Sequence, residues 1–395
     1  MTTAPFLDSI VAALRRVLPE TLQIGGLHEP HFGGNEWRYV KECLDTGWVS
    51  SVGSYVDRFE AMLSDYTGAA HAVAVVNGTA ALHLCLRIAG VERGDEVLLP
   101  TLTFIATANA VAYCGATPHF ADSDRLTLGV DPAKLRDYLK QAAEVRQGIC
   151  VNRRTGARIR AVIVMHTFGH PADLDGLTEV CREFGVPLIE DAAESLGSFY
   201  KARHTGNWGL VSALSFNGNK VATTGGGGAV LTNDERLGRI AKHLSTTARV
   251  AKPWFFEHDQ IGYNYRLPNI NAALGCAQLE QMPVFIERKR ALAERYVSEF
   301  QDVCGVQVFR EPAQGRGNYW LNTLVLDADR AGQRDELLEV TNQCGIPTRP
   351  VWTLLHRLPI YARCPRMDLS VAEDLERRII NLPSSAALGA PYVRS

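Results

Sequence analysis

Residues 161–191 read AVIVMHTFGHPADLDGLTEVCREFGVPLIED, and their pattern decides the fold. Ala161 to Met165 is an apolar run of strand length, and Leu174 to Phe184 reads as a helix. Val186-Pro187-Leu188-Ile189 forms a second strand that ends on two carboxylates, Glu190 and Asp191. Strand, helix and strand in succession, with strands apolar throughout, predict a parallel sheet covered by helices on both faces.

The same alternation extends in both directions. Upstream, Ala72 to Val76 is a short buried strand broken by Asn77-Gly78-Thr79 and followed at once by a helix carrying Ala80, Leu82, Leu84, Cys85 and Ile88. Thr79 reads as a cap on that helix, a role compatible with an anion held at the same N-terminus. Glu96 to Leu99 is another strand, and Pro100-Thr101-Leu102-Thr103-Phe104 leads into a small-residue helix, Ala106 to Ala112. Downstream, Ser212-Ala213-Leu214-Ser215 reads as a strand running through Phe216-Asn217-Gly218-Asn219 to Lys220, with Gly225 to Gly228 close behind. Asn269 to Val303 reads as one long helix kinked at Pro283.

The remainder reads as a smaller α+β unit. Its strands are Tyr319 to Leu326 and Pro347 to Trp352, and its helices Glu336 to Gln343 and Ala372 to Ile380. The expected organisation is an arm and linker at 1–32, a large α/β domain at 33–285 and a small C-terminal domain at 286–395.

Composition narrows the function classes. The chain has 395 residues, 46% hydrophobic and 21% charged, with 41 basic against 43 acidic residues. With no basic tail or cluster, neither nucleic acid nor an anionic membrane surface is an expected partner. Nine cysteines at scattered positions, never spaced Cys-x-x-Cys, predict reduced thiols in a cytoplasmic protein without a disulfide framework or metal site. Val97 to Ala121 lacks Asp, Glu, Lys and Arg, but Pro100, Asn109, Gly115 and Pro118 interrupt it, which fits buried strand and helix better than a membrane span.

In doubly wound sheets, ligands sit beyond the carboxyl ends of the strands. Asn77-Gly78-Thr79, Thr103-Phe104, His166, Asp191 and Lys220 all fall at or just past predicted strand ends. A single lysine after a strand is ordinarily a solvated loop residue. The glycine run is no nucleotide fingerprint either, because Gly-x-Gly-x-x-Gly would require glycine where Val230 stands. The surroundings of Lys220 decide its role: an acid at a buried strand end, a flat aromatic and a helix N-terminus at the same sheet edge. Pyridoxal 5′-phosphate uses all of them. An amine joins its aldehyde, an acid holds its ring nitrogen protonated, an aromatic stacks on the ring and a helix N-terminus takes the phosphate.

Five segments in order carry a family resemblance: Asn77-Gly78-Thr79-Ala80-Ala81-Leu82, Thr103 to Ala110, Glu190-Asp191-Ala192-Ala193-Glu194, Ser215 to Lys220, and Gly262-Tyr263-Asn264-Tyr265-Arg266-Leu267. The chain resembles the DegT/DnrJ/StrS sugar aminotransferases, and the resemblance covers nearly everything beyond residue 25. It implies a fold-type-I pyridoxal-phosphate transferase with a mostly parallel seven-stranded sheet. It also implies Lys220 as the covalent attachment point and proton carrier, Asp191 on the pyridine nitrogen and Phe104 on the ring face. Gly78, Thr79 and Ser215 would hold the phosphate, with Asn264 arriving from the second subunit of a homodimer with shared active sites. The family commonly has glutamine three residues after the aspartate and histidine two further on, where this chain has Glu194 and Leu196. Glu194 would then lie near the cofactor's phenolic oxygen, and is expected to be protonated or swung toward solvent.

The resemblance further implies transfer of an amine, usually from glutamate, to the C4 keto group of a nucleotide-linked 4-keto-6-deoxy sugar. Gly47-Trp48-Val49-Ser50-Ser51-Val52-Gly53 and the insertion Gly148 to Arg160 resemble the branch serving legionaminic-acid-type or bacillosamine-type glycans. Trp48, Arg349 and His356 are the candidate substrate contacts. A catalytically silent nucleotide-sugar or cofactor-binding regulator and a sugar dehydratase of the same family are the competing readings. Retention of Lys220 argues against both.

Overall fold

A computed structural model describes residues 4–20, 25–250 and 252–390. Its largest sheet has seven strands: β1 (His71–Val75), β2 (Glu96–Pro100), β3 (Thr117–Ala121), β4 (Ile159–Met165), β5 (Leu188–Asp191), β6 (Val211–Ser215) and β7 (Gly228–Thr232). The spatial order is β1-β7-β6-β5-β4-β2-β3. From β6 to β3 every pairing is parallel, and β7 runs antiparallel to both of its neighbours. These strands are apolar along their length because helices bury both faces. Val162, Ile163, Val164 and Ile189 are all fully buried.

Reversal of β7 shapes the working edge of the sheet. Its first residue, Gly228, pairs with Val75 at the end of β1 and with Ser215 at the end of β6. A Cβ on Gly228 would lie 2.5 Å from the Asn77 carbonyl oxygen and 2.6 Å from its carbon. A Cβ on Gly78 would lie 2.8 Å from that of Ser215. These two glycines let the Asn77-Gly78 turn, the end of β6 and the start of β7 close on one another. The last residue of the glycine run thus opens a strand that the sequence pattern did not reveal. Asn77, rather than Thr79, caps the helix Gly78–Ile88, accepting a hydrogen bond from the Ala80 N–H at 2.7 Å.

The C-terminal unit is a four-stranded antiparallel sheet of Val306–Val308, Asn322–Leu326, Ile379–Leu382 and Arg349–Pro350, in that spatial order. Two expectations change here. The helix expected to run to Ile380 stops at Glu376. Ile379-Ile380-Asn381-Leu382 is instead a central strand, where two β-branched residues bury well on a pleated surface and Pro383 follows. The long helix expected from Asn269 is two helices, Asn269–Glu280 and Met282–Phe300, because Pro283 starts a new helix rather than bending an old one. The expected boundary at 285/286 falls within the second of these helices.

Of the expected arm at 1–32, residues 1–3 and 21–24 lie outside the described residues. The helix Ala4–Val17 packs on the C-terminal unit. Its Ile10, Ala13 and Leu14 are fully buried in one cluster with Leu292, Tyr296, Leu324 and Ile380 of the C-terminal unit. A helix with one apolar stripe has to bury it, and this stripe is covered. No helix among the described residues is long and apolar enough to cross a membrane.

Gly228→Ala should cost about 1–3 kcal/mol, as overpacking against unyielding backbone does, and should displace the Asn77-Gly78 turn. Urea unfolding read by fluorescence checks the first effect, and cofactor retained through gel filtration checks the second.

Candidate active site

At the carboxyl edge of the sheet lies a cavity of about 320 Å³, lined by residues from most of the strand ends. Asn77, Gly78 and Thr79 follow β1, Phe104 and Thr107 follow β2, Met165 ends β4, Asp191 ends β5, and Ser215 and Lys220 end and follow β6. Seven of the residues predicted from sequence, Lys220, Asp191, Glu194, Gly78, Thr79, Ser215 and Phe104, therefore meet around one space. Lys220 stands five residues past its strand, in the turn after Ser215, rather than at the strand's own end.

Asp191 is 3% exposed and faces the cavity. Its Oδ2 accepts a hydrogen bond from the Thr107 hydroxyl at 2.7 Å and its Oδ1 one from the Ala193 N–H at 3.2 Å. Burial raises its proton affinity above the ordinary aspartate value, opposed by these two bonds and by Lys220 and His166. Side chains alternate along a strand, so the preceding Glu190 points the other way. There it accepts the N–H groups of Gly206, Trp208 and Gly209 at 2.7 Å each and the His166 Nε2–H at 3.0 Å. Burial works against the Glu190 charge, but His166 and the backbone donors hold the carboxyl below its usual range. The paired acids divide the labour: Glu190 pins the following loop and Asp191 serves the cavity.

Glu194 does not swing toward solvent. It is 3% exposed, with Oε1 3.3 Å from the Lys220 Nζ and Oε2 accepting the Phe168 N–H at 2.9 Å. Burial pushes its carboxyl up to about 7, although Lys220 and the Phe168 N–H oppose the shift. Phe168 makes its bond from the left-handed region, at φ 56° and ψ 17°, a conformation costly for a bulky residue. Lys220 also lies over the Trp320 ring, 3.9 Å from its centroid. The Trp320 indole N–H in turn donates to the Asn219 carbonyl at 2.7 Å, so the tryptophan both faces the amine and holds the loop that carries it.

The helix Gly78–Ile88 opens into the cavity. Asn77 satisfies the Ala80 N–H with its side chain and the Ala81 N–H with its carbonyl, leaving the N–H groups of Gly78 and Thr79 to an anion. On the opposite rim Phe104 is 51% exposed, and its ring centroid lies 6.4 Å from that of Trp352.

Other predicted residues lie elsewhere. His356 is a packing residue rather than a substrate contact. It is 8% exposed, with Nδ1 on the Thr101 hydroxyl at 2.8 Å and Nε2 on Glu373 at 3.2 Å. Trp48 lines a separate cleft of about 660 Å³ with Glu42, Arg266 and Asn269. Asn264 is exposed outside the Lys220 cavity, and its Oδ1 accepts from Arg266 at 3.2 Å. Arg349 borders an adjoining cavity rather than the one with Lys220. Where the family's histidine would stand, Leu196 is buried in the apolar core.

Sequence reading missed Thr107, Trp320 and Trp352. Thr107 stands one helical turn after Thr103, a spacing that places both at one helix start. No local pattern signals the tryptophans, because they come from the distant C-terminal unit.

The chain matches the model of the DegT/DnrJ/EryC1/StrS aminotransferase family over residues 30–394. It is 39% identical over 367 residues to GDP-perosamine synthase of Escherichia coli O157:H7, covering 93% of this chain and 95% of that protein. It is 38% identical over 366 residues to EpsN of Bacillus subtilis (strain 168), which is named for pyridoxal phosphate-dependent aminotransferase activity, covering 91% and 90%. Among solved structures, the aminotransferase TlmJ from Streptoalloteichus hindustanus aligns with a TM-score of 0.82 at 31% identity, covering 92% and 94%.

Pyridoxal 5′-phosphate fits the donor set of the cavity. The amine of Lys220, the buried carboxyl of Asp191 and the two N-terminal N–H groups beside the Ser215 hydroxyl would meet its aldehyde, its ring nitrogen and its phosphate.

Glu194 has a pH signature of its own. Its folded-state proton affinity exceeds the unfolded value, so the fold keeps a proton that the unfolded chain has lost. The stability this contributes is present below pH about 4.5 and is lost as pH rises through about 7. Glu194→Gln removes this dependence. Melting of the cofactor-free protein at pH 5 and pH 7.5 should show the variant gaining on the parent at the higher pH by roughly 2 kcal/mol, at 1.36 kcal/mol per pKa unit. Parallel pH profiles would show that Glu194 does not titrate in this window.

Proposed function

The chain belongs to the DegT/DnrJ/EryC1/StrS aminotransferase family and is a pyridoxal-phosphate-dependent aminotransferase; from that premise we propose that it transfers an amino group from glutamate to the C4 keto group of a nucleotide-linked 4-keto-6-deoxy sugar. The observation that carries the reading is Lys220 itself, held in the cavity between Glu194 and Trp320, with Asp191 lining the same space. A regulator would need to bind ligands, but it would have no use for a positioned amine.

The cofactor supplies an electron sink that weakens bonds at the carbon attached to the exchanged nitrogen. The protein handles the protons and the geometry. Lys220, with its amine free, would be the base and acid that carries a proton to and from the reacting carbon. Glu194, near neutrality in its proton affinity, takes up or returns a proton at the Lys220 Nζ, 3.3 Å away. Asp191, held by Thr107 and Ala193, would face the ring nitrogen. Gly78, Thr79 and Ser215 would seat the phosphate, and Phe104 would cover the ring.

The substrate assignment draws on the relative named GDP-perosamine synthase and on the likeness of the segment around Trp48 to enzymes of legionaminic-acid-type and bacillosamine-type glycans. The product is destined for a surface glycan, and the reaction is cytoplasmic. A second copy of the chain completes each active site. Trp254 is 94% exposed, Phe256 78% and Ile261 85%, large apolar side chains shortly before the exposed Asn264 that a partner subunit would cover. In the dimer Asn264 reaches the partner's phosphate seat.

Purified enzyme should absorb in the visible range and lose that band on addition of glutamate. With a panel of UDP-, GDP- and dTDP-linked 4-keto-6-deoxy sugars, one product should gain the mass of an amine for a keto oxygen. No band shift with any amino donor would sink the assignment. Sharing of sites has its own test: mixtures of Lys220→Ala and Asn264→Ala proteins, each inactive alone, should regain up to about a quarter of parental activity when refolded together, through exchange of intact halves.

A further inference from the structure

Beyond Trp320 and Trp352 lies a second cavity, of about 310 Å³. It shares Asn219, Trp320 and Trp352 with the cavity that holds Lys220. Its other polar lining is His28, Arg349 and Asn381, and no carboxylate among the described residues borders it.

His28 is the unusual member. It is 6% exposed, and neither ring nitrogen has a hydrogen-bond partner among the described residues. Buried polar groups are nearly always paired, and a histidine serving only to pack usually satisfies at least one nitrogen. Burial and the nearby Lys289 and Lys220 disfavour its charged form; the Asn219 carbonyl nearby would favour it, but that oxygen is engaged by the Trp320 indole N–H and makes no well-formed bond to the ring. A neutral ring has one donor and one acceptor to offer. Arg349 stands at the rim, where its Nη1 donates to the Asn342 side chain and the Thr348 carbonyl. No carboxylate pairs with it among the described residues, so Nε and Nη2 remain as donors. The Asn381 Oδ1 accepts the Thr323 hydroxyl, which leaves its NH₂ for the cavity. Donors thus outnumber acceptors, and the fixed charge is positive. An oxyanion matches that set, since carboxylates and phosphates accept several N–H groups and pair with guanidinium in two-point fashion.

We propose that this side cavity is an oxyanion subsite, in which His28 and Arg349 bind a carboxylate or phosphate of a reactant whose other end lies at Lys220. The proposal deepens the aminotransferase reading and rests on it for the identity of the reactant. The two sources of such a group are the side-chain carboxylate of the amino donor and the diphosphate of the nucleotide sugar. The subsite differs from the cofactor's phosphate seat at Gly78, Thr79 and Ser215, none of which borders it.

Direct binding to the cofactor-loaded enzyme, read by calorimetry with glutarate and with pyrophosphate as probes, tests the proposal without requiring turnover. Arg349→Gln and His28→Gln should each weaken one probe by tenfold or more. Weakening of glutarate identifies the donor carboxylate, and weakening of pyrophosphate identifies the nucleotide; either outcome supports the subsite. In turnover the same Arg349 variant should raise KM for that reactant with little change in kcat, the mark of lost uniform binding. Because Arg349 is exposed, its variant should melt with the parent, and it decides the matter if His28→Gln is unstable. Failure of the parent to bind either probe, or binding that Arg349→Gln leaves unchanged, overturns the subsite. Neither result bears on whether the enzyme transaminates, which the absorbance experiment decides separately.

Discussion

The structure depends on one close approach, the Asn77-Gly78 turn resting against the first residue of β7. Only a hydrogen atom fits on the Cα of Gly228, since a Cβ would press on the Asn77 carbonyl. That contact sets the spacing between β1, β7 and β6, and therefore between the free helix N-terminus at Gly78, the hydroxyl of Ser215 and the turn leading to Lys220. β7 is also the one reversed strand of the large sheet. A parallel strand in its place would begin at the far edge and could not bring its glycine to this turn. The proposed phosphate seat is thus a property of sheet topology before it is a property of any side chain.

The second constraint is the concentration of charge in a buried place. Asp191, Glu194 and Lys220 share one small cavity, and burial acts against the charged form of each carboxyl. The protein answers with directed donors: Thr107 and Ala193 on Asp191, Phe168 on Glu194. Asn318 stiffens the arrangement, donating to the carbonyls of Glu194 and Leu196 while its Oδ1 accepts the Trp320 N–H. Gly169 makes room for it, because a Cβ there would overlap the Asn318 oxygen. The substitution of Glu194 for the family's glutamine places a titrating group beside the lysine where an amide would be inert, and burial tunes it to near neutrality.

Much of this was legible in the sequence, for a physical reason. Strands buried on both faces are apolar throughout, and the helices between them carry their own pattern, so the parallel core and its functional edge could be read from local signals. Lys220, Asp191 and the Asn77-Gly78-Thr79 turn followed from that edge. The failures share a cause as well. β7 begins in glycines, which carry no strand signal of their own. Ile379 to Leu382 follows a helical pattern without a clear stop, and only pairing with Asn322–Leu326 and Arg349–Pro350 makes it a strand. His356 has the residue type of a ligand contact, but Thr101 and Glu373, distant in the chain, claim both of its nitrogens. Tertiary partners decided each of these cases.

Tertiary partners also explain why the C-terminal unit and the helix at 4–17 belong in an account of catalysis. Lys289 is fully buried in the middle of its helix and donates to the carbonyls of Trp320 and Ser384 at 3.2 and 2.5 Å. A buried ammonium with only carbonyl partners is costly, and burial drives its proton affinity well down. The return on that cost is position. Ser384 follows the central strand of the small sheet, and its hydroxyl also accepts the Asn322 N–H. Trp320 lies under the Lys220 amine and its indole N–H donates to the Asn219 carbonyl. Lys289 therefore ties the core of the C-terminal unit to the loop that presents Lys220. The N-terminal helix packs on Leu292 and Tyr296 of the same helix, so displacement of either element reaches the active site through one tryptophan.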